Sequence, residues 1–117
     1  MSVKVYEYNR CGTCRKALKY LDEKGIDYTA IPIRETPPSL KEFKFMLEQT
    51  GELKRLLNTS GQDYRALNMK DKVKELSESQ ILKLLTENGN LVKRPFVIGE
   101  NFATTGFKQE DWDKLFK

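Results

Sequence analysis

The 117-residue chain contains no histidine. That absence removes Cys-His and Ser-His-Asp nucleophile activation, His-Glu-x-x-His metal hydrolysis and mixed Cys/His zinc sites. Cysteine is scarce: there are two, both inside Asn9-Arg10-Cys11-Gly12-Thr13-Cys14-Arg15-Lys16. Without further soft ligands one chain cannot complete a four-ligand zinc site, so a metal role is left only to a site bridged between two copies. No apolar run approaches the roughly 20 residues that span a bilayer. The opening Met-Ser-Val-Lys-Val-Tyr has no basic region followed by a long apolar stretch, so no secretory signal is expected. Charge of a single sign is also missing as a block. Lys70-Asp71-Lys72-Val73-Lys74-Glu75 is typical, and the net charge of +4 reads as a solvated surface with a slight basic bias rather than a nucleic-acid patch.

What remains suits one compact domain spanning residues 1–117. The charged fraction is high, at 32%, but 38% of residues are hydrophobic, which is enough to build a core and too much for a disordered chain. The expected compartment is the reducing cytoplasm, where a close cysteine pair is more often catalytic or metal-binding than structural.

Val3 to Tyr8 is β-branched and aromatic and reads as a strand ending at the turn-prone Asn9. From Cys14 the period changes: Cys14, Ala17, Leu18 and Leu21 share one face of a helix, with Gly25 placed to end it. Tyr28 to Ile33 reads as a second strand, so the first third is a βαβ unit with parallel strands. The middle is helical. Ser39-Leu-Lys-Glu42 is a capping box ahead of Phe43, Met46 and Leu47, and Gly51 follows. Leu53, Leu56 and Leu57 suggest a short helix; Tyr64, Leu67 and Met69 suggest another turn. Ser77-Glu-Ser-Gln80 opens a helix with Ile81, Leu84 and Leu85 inward and Gly89 as its stop. Phe96–Ile98 and Phe102–Thr104 flank Gly99-Glu100-Asn101 as a hairpin, and Trp112, Leu115 and Phe116 supply the apolar face of a last helix.

The Cys-x-x-Cys between a strand and a helix fits a redox motif or half a zinc site. Its two sulfurs are not equivalent. Cys11 falls at the helix start, where unpaired N–H groups and the positive dipole end favour a thiolate, with Arg10 and Arg15 close in sequence. Cys14 falls one turn later on the apolar face. This is the placement of an attacking Cys11 and a resolving Cys14, although Cys14 alone fits a small core residue equally well. Gly12 leaves room for a bulky disulfide substrate to approach the backbone.

With these pieces in place the chain resembles the ArsC/Spx family, which includes arsenate reductase-like and YffB-like proteins of the glutaredoxin-like thioredoxin superfamily. The resemblance rests on Asn9-Arg-Cys-Gly-Thr-Cys-Arg-Lys-Ala17, Pro37-Pro38, Leu56-Leu-Asn-Thr59 and Val92-Lys-Arg-Pro-Phe-Val97. It implies an α/β, thioredoxin-like fold, β-α-β then β-β-α on a mixed four-stranded sheet, with a mainly helical insertion and following helix over 38–90. It also implies that Pro95 is a cis-proline facing Cys11, and that Arg94 projects toward Cys11 as a thiolate or anion partner. Catalytic roles then fall to Cys11 and Cys14, and thiolate or substrate binding to Gly12, Thr13, Arg15, Arg94 and Pro95.

The resemblance also divides the function. Arsenate reductases of the family hold their oxyanion with three arginines; one matches Arg94, while the others fall at Asn58 and near Thr104 to Gly106, with Arg65 a possible substitute. The Spx branch carries a Cys-x-x-Cys switch and binds the RNA polymerase α subunit through a surface whose glycine matches Gly51, and such regulators usually carry a longer tail. YffB-like proteins look like glutathione-dependent thiol reductases. The expectation is a monomeric, cytoplasmic thiol oxidoreductase acting on a disulfide, mixed disulfide or oxyanion. It needs no bound cofactor or metal, takes electrons from a low-molecular-weight thiol or thioredoxin-type donor, and binds neither nucleic acid nor membrane. The alternative is an Spx-like redox-sensing regulator bound to RNA polymerase.

Overall fold

The computed structural model describes residues 3–116. Strand β1 (Val3–Glu7) leads through the cysteine loop into helix α1 (Gly12–Glu23), and β2 (Tyr28–Pro32) follows. Helices α2 (Leu40–Thr50), α3 (Gln62–Ala66), α4 (Met69–Glu75) and α5 (Glu78–Glu87) come next, with short 3-10 turns at Leu53–Leu56 and Gly89–Leu91. Strands β3 (Phe96–Ile98) and β4 (Ala103–Thr105) and helix α6 (Gln109–Leu115) complete the chain. The sheet order is β2-β1-β3-β4; β1 and β2 are parallel, and the other two pairings are antiparallel. The βαβ start and the closing hairpin are therefore as the residue pattern predicts, with β4 beginning one residue later than expected. Among the described residues no helix is long and apolar enough to cross a membrane.

The period-two alternation of β1 sends its side chains into two cores. Val3 and Val5, with Val97 opposite Val5, pack under Ala17 and Leu21 of α1 and Trp112 of α6. Tyr6, with Phe96 opposite it, faces the larger core of Ile33, Phe43, Met46, Leu56, Met69, Ile81 and Leu85. Two capping boxes begin the long middle helices: Ser39 with Glu42 on α2, and Ser77 with Gln80 on α5. Gly25 and Gly51 take left-handed φ of 67° and 75° after their helices. Gly89 has a different reason to be glycine. α5 is capped by Asn88, and the space where a Gly89 Cβ would stand is taken by the Ile33 carbonyl oxygen.

Several details depart from the periodic reading. Leu82 rather than Leu84 is fully packed on α5, and Leu115 stays largely exposed on α6 while Trp112 is buried. Leu53–Leu56 is a 3-10 turn, after which Leu57 forms an isolated bridge with Val92.

Candidate functional site

Cys11 is the N-cap of α1. Its backbone is extended, its sulfur accepts a hydrogen bond from the Cys14 N–H at 3.3 Å, and its own N–H donates to the Tyr8 carbonyl at 2.9 Å. The sulfur thus occupies the place of a serine or aspartate oxygen, taking up a helix-start N–H that has no partner within the helix. Cys11 is half-buried and Cys14 is fully buried; both are free thiols. The exposed Gly12 and Thr13 lie between them, and a Cβ on Gly12 would meet nothing within 4 Å. Arg15 is turned back on the loop, its Nε donating to the Asn9 carbonyl at 3.1 Å.

The thiols differ in environment as well as position. Burial is the largest cause that pushes the Cys14 thiol up, to about 12, and its hydrogen bond and charge interaction with Cys11 push the same way. The Tyr8 backbone and the Arg94 charge pull it down. Arg94 is therefore close enough to act electrostatically on Cys14. The Arg94–Pro95 peptide is cis, and Pro95 is buried at the entry to β3, where its carbonyl accepts the Gly106 N–H at 2.9 Å.

Tyr8 joins the cysteine loop to a polar cleft of about 240 Å³. The guanidinium carbons of Arg94 and Arg34 lie 4.9 and 5.0 Å from the centre of its ring, and Arg34 Nη1 donates to its hydroxyl at 3.0 Å. Asn58, Asp63 and Asn90 line the same cleft. Asp63 is held below the usual carboxylate range first by hydrogen bonds from Asn88 and Asn90, with Arg34 adding its charge. Asn58 donates from Nδ2 to the Asn90 carbonyl at 3.3 Å. Arg65 is exposed on α3 and does not line the cleft, so Arg34 is the second guanidinium beside Arg94.

The sequence reading missed Tyr8 and Arg34, although a signal was available. Parallel β1 and β2 end on the same edge of the sheet, so the residues just after them, Tyr8 and Arg34, must lie beside whatever loop follows β1. Crevices outside the carboxyl ends of parallel strands are the usual ligand sites of α/β sheets.

This combination of a thiol-capped helix, a cis-proline at the entry to the neighbouring strand and a four-stranded mixed sheet defines an α/β protein of thioredoxin-like fold. The chain belongs to the ArsC family, whose model matches residues 6–115. It is 44% identical to the uncharacterized protein YusI of Bacillus subtilis, over 97% of this chain and 98% of that one. It is 31% identical to the global transcriptional regulator Spx 2 of Bacillus anthracis, covering 97% of this chain and 86% of the regulator. A solved structure described as a possible arsenate reductase from Streptococcus mutans is 43% identical and superposes with a TM-score of 0.86, covering 95% of this chain and 97% of the other.

Proposed function

We propose that the protein is a thiol-disulfide oxidoreductase in which Cys11 is the nucleophile and Cys14 the resolving thiol. The observation that carries this reading is the asymmetry of the pair: one sulfur caps a helix at the surface, and the other is buried one turn inside with its proton held tightly. The Cys11 thiolate attacks one sulfur of a disulfide and forms a mixed disulfide, while the other half leaves as a thiolate and takes up a proton. Cys14 then loses its proton and attacks the Cys11 sulfur, which expels the second half as a thiol and closes Cys11–Cys14. An external dithiol, or two molecules of a small thiol, returns two electrons and two protons.

The environment of Cys14 times the second step. Two of the causes that raise it come from Cys11, its hydrogen bond and its charge, and both are removed once Cys11 is tied up as an adduct. The Tyr8 backbone and Arg94 go on favouring the thiolate. Burial, the largest cause, is not removed, so Cys14 stays raised but by less at the step that uses it. Arg94 and Arg34, both against Tyr8, give the substrate side of the cleft two guanidiniums for a carboxylate or oxyanion. Pro95 shapes the wall opposite the loop.

Mass spectrometry after exposure to hydroxyethyl disulfide and thiol trapping tests the cycle. The Cys14→Ser variant should accumulate an adduct on Cys11, whereas the wild type should lose two hydrogens and form the internal disulfide. An adduct on Cys14, or none on Cys11 in that variant, contradicts the reading.

Similarity to Spx 2 supports a second reading, that of a redox-responsive partner of the RNA polymerase α subunit. Gly51 is exposed in the left-handed region with nothing within 4 Å of its missing Cβ, which leaves its backbone open to a partner. Capture of the α subunit in a pull-down favours this reading; no capture in either redox state favours the enzyme.

A further inference from the structure

Beside the cysteine cleft, across Asn58, lies a second pocket of about 380 Å³ that the redox reading does not use. Lys54, Arg55 and Lys93 line it together with the carboxylate of Glu52 and the hydroxyls of Thr59 and Ser60. Three cations against one carboxylate leave its walls with a net charge of +2. Among the described residues the one ion pair is Lys4 with Glu42, so none of these three cations has a carboxylate within 4.0 Å.

Two further observations show that the cluster is unsatisfied. The Nε of Arg55 is buried and has no hydrogen-bond partner, although guanidinium N–H groups taken out of water are nearly always paired. Lys93 is held below the ordinary lysine range first by burial and then by the charges of Arg55, Lys108 and Lys54. Its stem runs beside Gly106, where an added Cβ would come within 3.3 Å of Cε. An excess of like charge gathered in a concavity is expected where a ligand brings the missing charge.

We propose that this pocket binds a phosphate group, free or esterified at one oxygen, held by Lys54, Arg55 and Lys93 with the Thr59 and Ser60 hydroxyls as further donors. A phosphate monoester carries close to two negative charges at neutral pH and three strong acceptor oxygens, matching both the +2 of the walls and their excess of donors. A carboxylate would leave one charge uncompensated. The site stands independently of the disulfide chemistry.

Titration of the reduced protein followed by amide NMR tests the assignment. Inorganic phosphate should shift the Thr59, Ser60 and Lys93 amides saturably, and sodium chloride at matched ionic strength should not. Lys93→Gln should weaken the apparent affinity by about tenfold, one lost charge-assisted contact. The exposed Lys54→Gln should act in the same direction without disturbing the fold, and Arg94→Gln should leave the affinity within about twofold. Tighter binding of phenyl phosphate assigns the pocket to a phosphomonoester, and tighter binding of inorganic phosphate assigns it to the free ion. Shifts that do not saturate, or that move to Tyr8 and Asn90 and vanish in Arg94→Gln, overturn the proposal.

Discussion

A helix-capping sulfur is an unusual choice at a position where serine, threonine or aspartate stabilises more reliably, and it makes chemical sense when the atom is needed as an anion. The Cys11 sulfur takes that capping place here, and Tyr8 relates it to the rest of the site. Its carbonyl fixes the Cys11 N–H, its backbone favours the Cys14 thiolate, and its ring carries two guanidiniums. Arg34 and Arg94 do not have the same reach. Arg94 is the one whose charge is felt at Cys14, while Arg34 bonds the Tyr8 hydroxyl and interacts with Asp63 across the cleft. Arg34→Gln should therefore lower kcat/KM for a carboxylate-bearing disulfide, such as oxidised glutathione, by about tenfold, the scale of one charge-assisted contact. It should leave the neutral hydroxyethyl disulfide within about twofold. Steady-state kinetics on the two substrates checks this, and equal losses on both would make Arg34 a structural residue.

At the scale of elements, the two capping boxes form a natural comparison. Ser77 and Gln80 start α5 with a neutral pair, whereas Ser39 and Glu42 start α2 with a titratable one. Glu42 also ties α2 to the sheet: Oε1 accepts from the Ser39 N–H at 2.9 Å and the Tyr6 hydroxyl at 2.7 Å, and Oε2 lies 3.4 Å from the Lys4 ammonium. Burial alone would raise this carboxyl, but the Ser39 backbone, Tyr6 and Lys4 outweigh it and hold it below its ordinary value of 4.5. A carboxyl lowered in the folded state stabilises the protein above its unfolded pKa, and that contribution is lost as the pH falls through the folded value. Glu42→Gln keeps the box and loses the charge. It should cost about 1 kcal/mol at pH 7, and the gap between variant and wild type should shrink as the pH falls below 4.5. Urea unfolding at pH 7 and pH 3 measures both; a gap that does not change with pH would show that the charge contributes nothing. Both boxes were visible in the sequence because their signature is local, four residues long and independent of tertiary context. The role of Gly89 was not, because the carbonyl that excludes a side chain there belongs to Ile33, 56 positions earlier in the chain. Nor was the switch from Leu84 to Leu82, which depends on where neighbouring elements press on α5 rather than on the period of the helix.

At the scale of the molecule, the sheet is a partition. Valines of β1 and β3 face α1 and α6, while Tyr6 and Phe96 face the helices between β2 and β3. The cysteine loop emerges from the central strand at one edge of this partition and the Arg94–Pro95 bond enters beside it on β3. The parallel start and the closing hairpin could be read from strand-forming residues, turn residues and the βαβ rule, and the mixed four-stranded sheet from the family resemblance, whereas the strand order β2-β1-β3-β4 comes from the structure. The cleft could be read only in part, because Arg34, Asn58 and Asn90 reach it from three separate segments whose meeting depends on the helical region folding back over the strand ends. The second, lysine-lined pocket has the same origin: Lys54 and Arg55 come from a 3-10 turn and Lys93 from the approach to β3. Charges that look interleaved along the chain are gathered by the fold into one concavity.

The account as a whole depends on Cys11, not Cys14, being the reactive sulfur. Peptide-resolved mass spectrometry of the reduced protein during limited iodoacetamide labelling at pH 7 compares the two directly. Because the thiolate is the reacting species and Cys14 is both buried and pushed up to about 12, Cys11 should be modified more than about 100-fold faster. Equal rates, or faster labelling of Cys14, would contradict the assignment of nucleophile and resolving thiol.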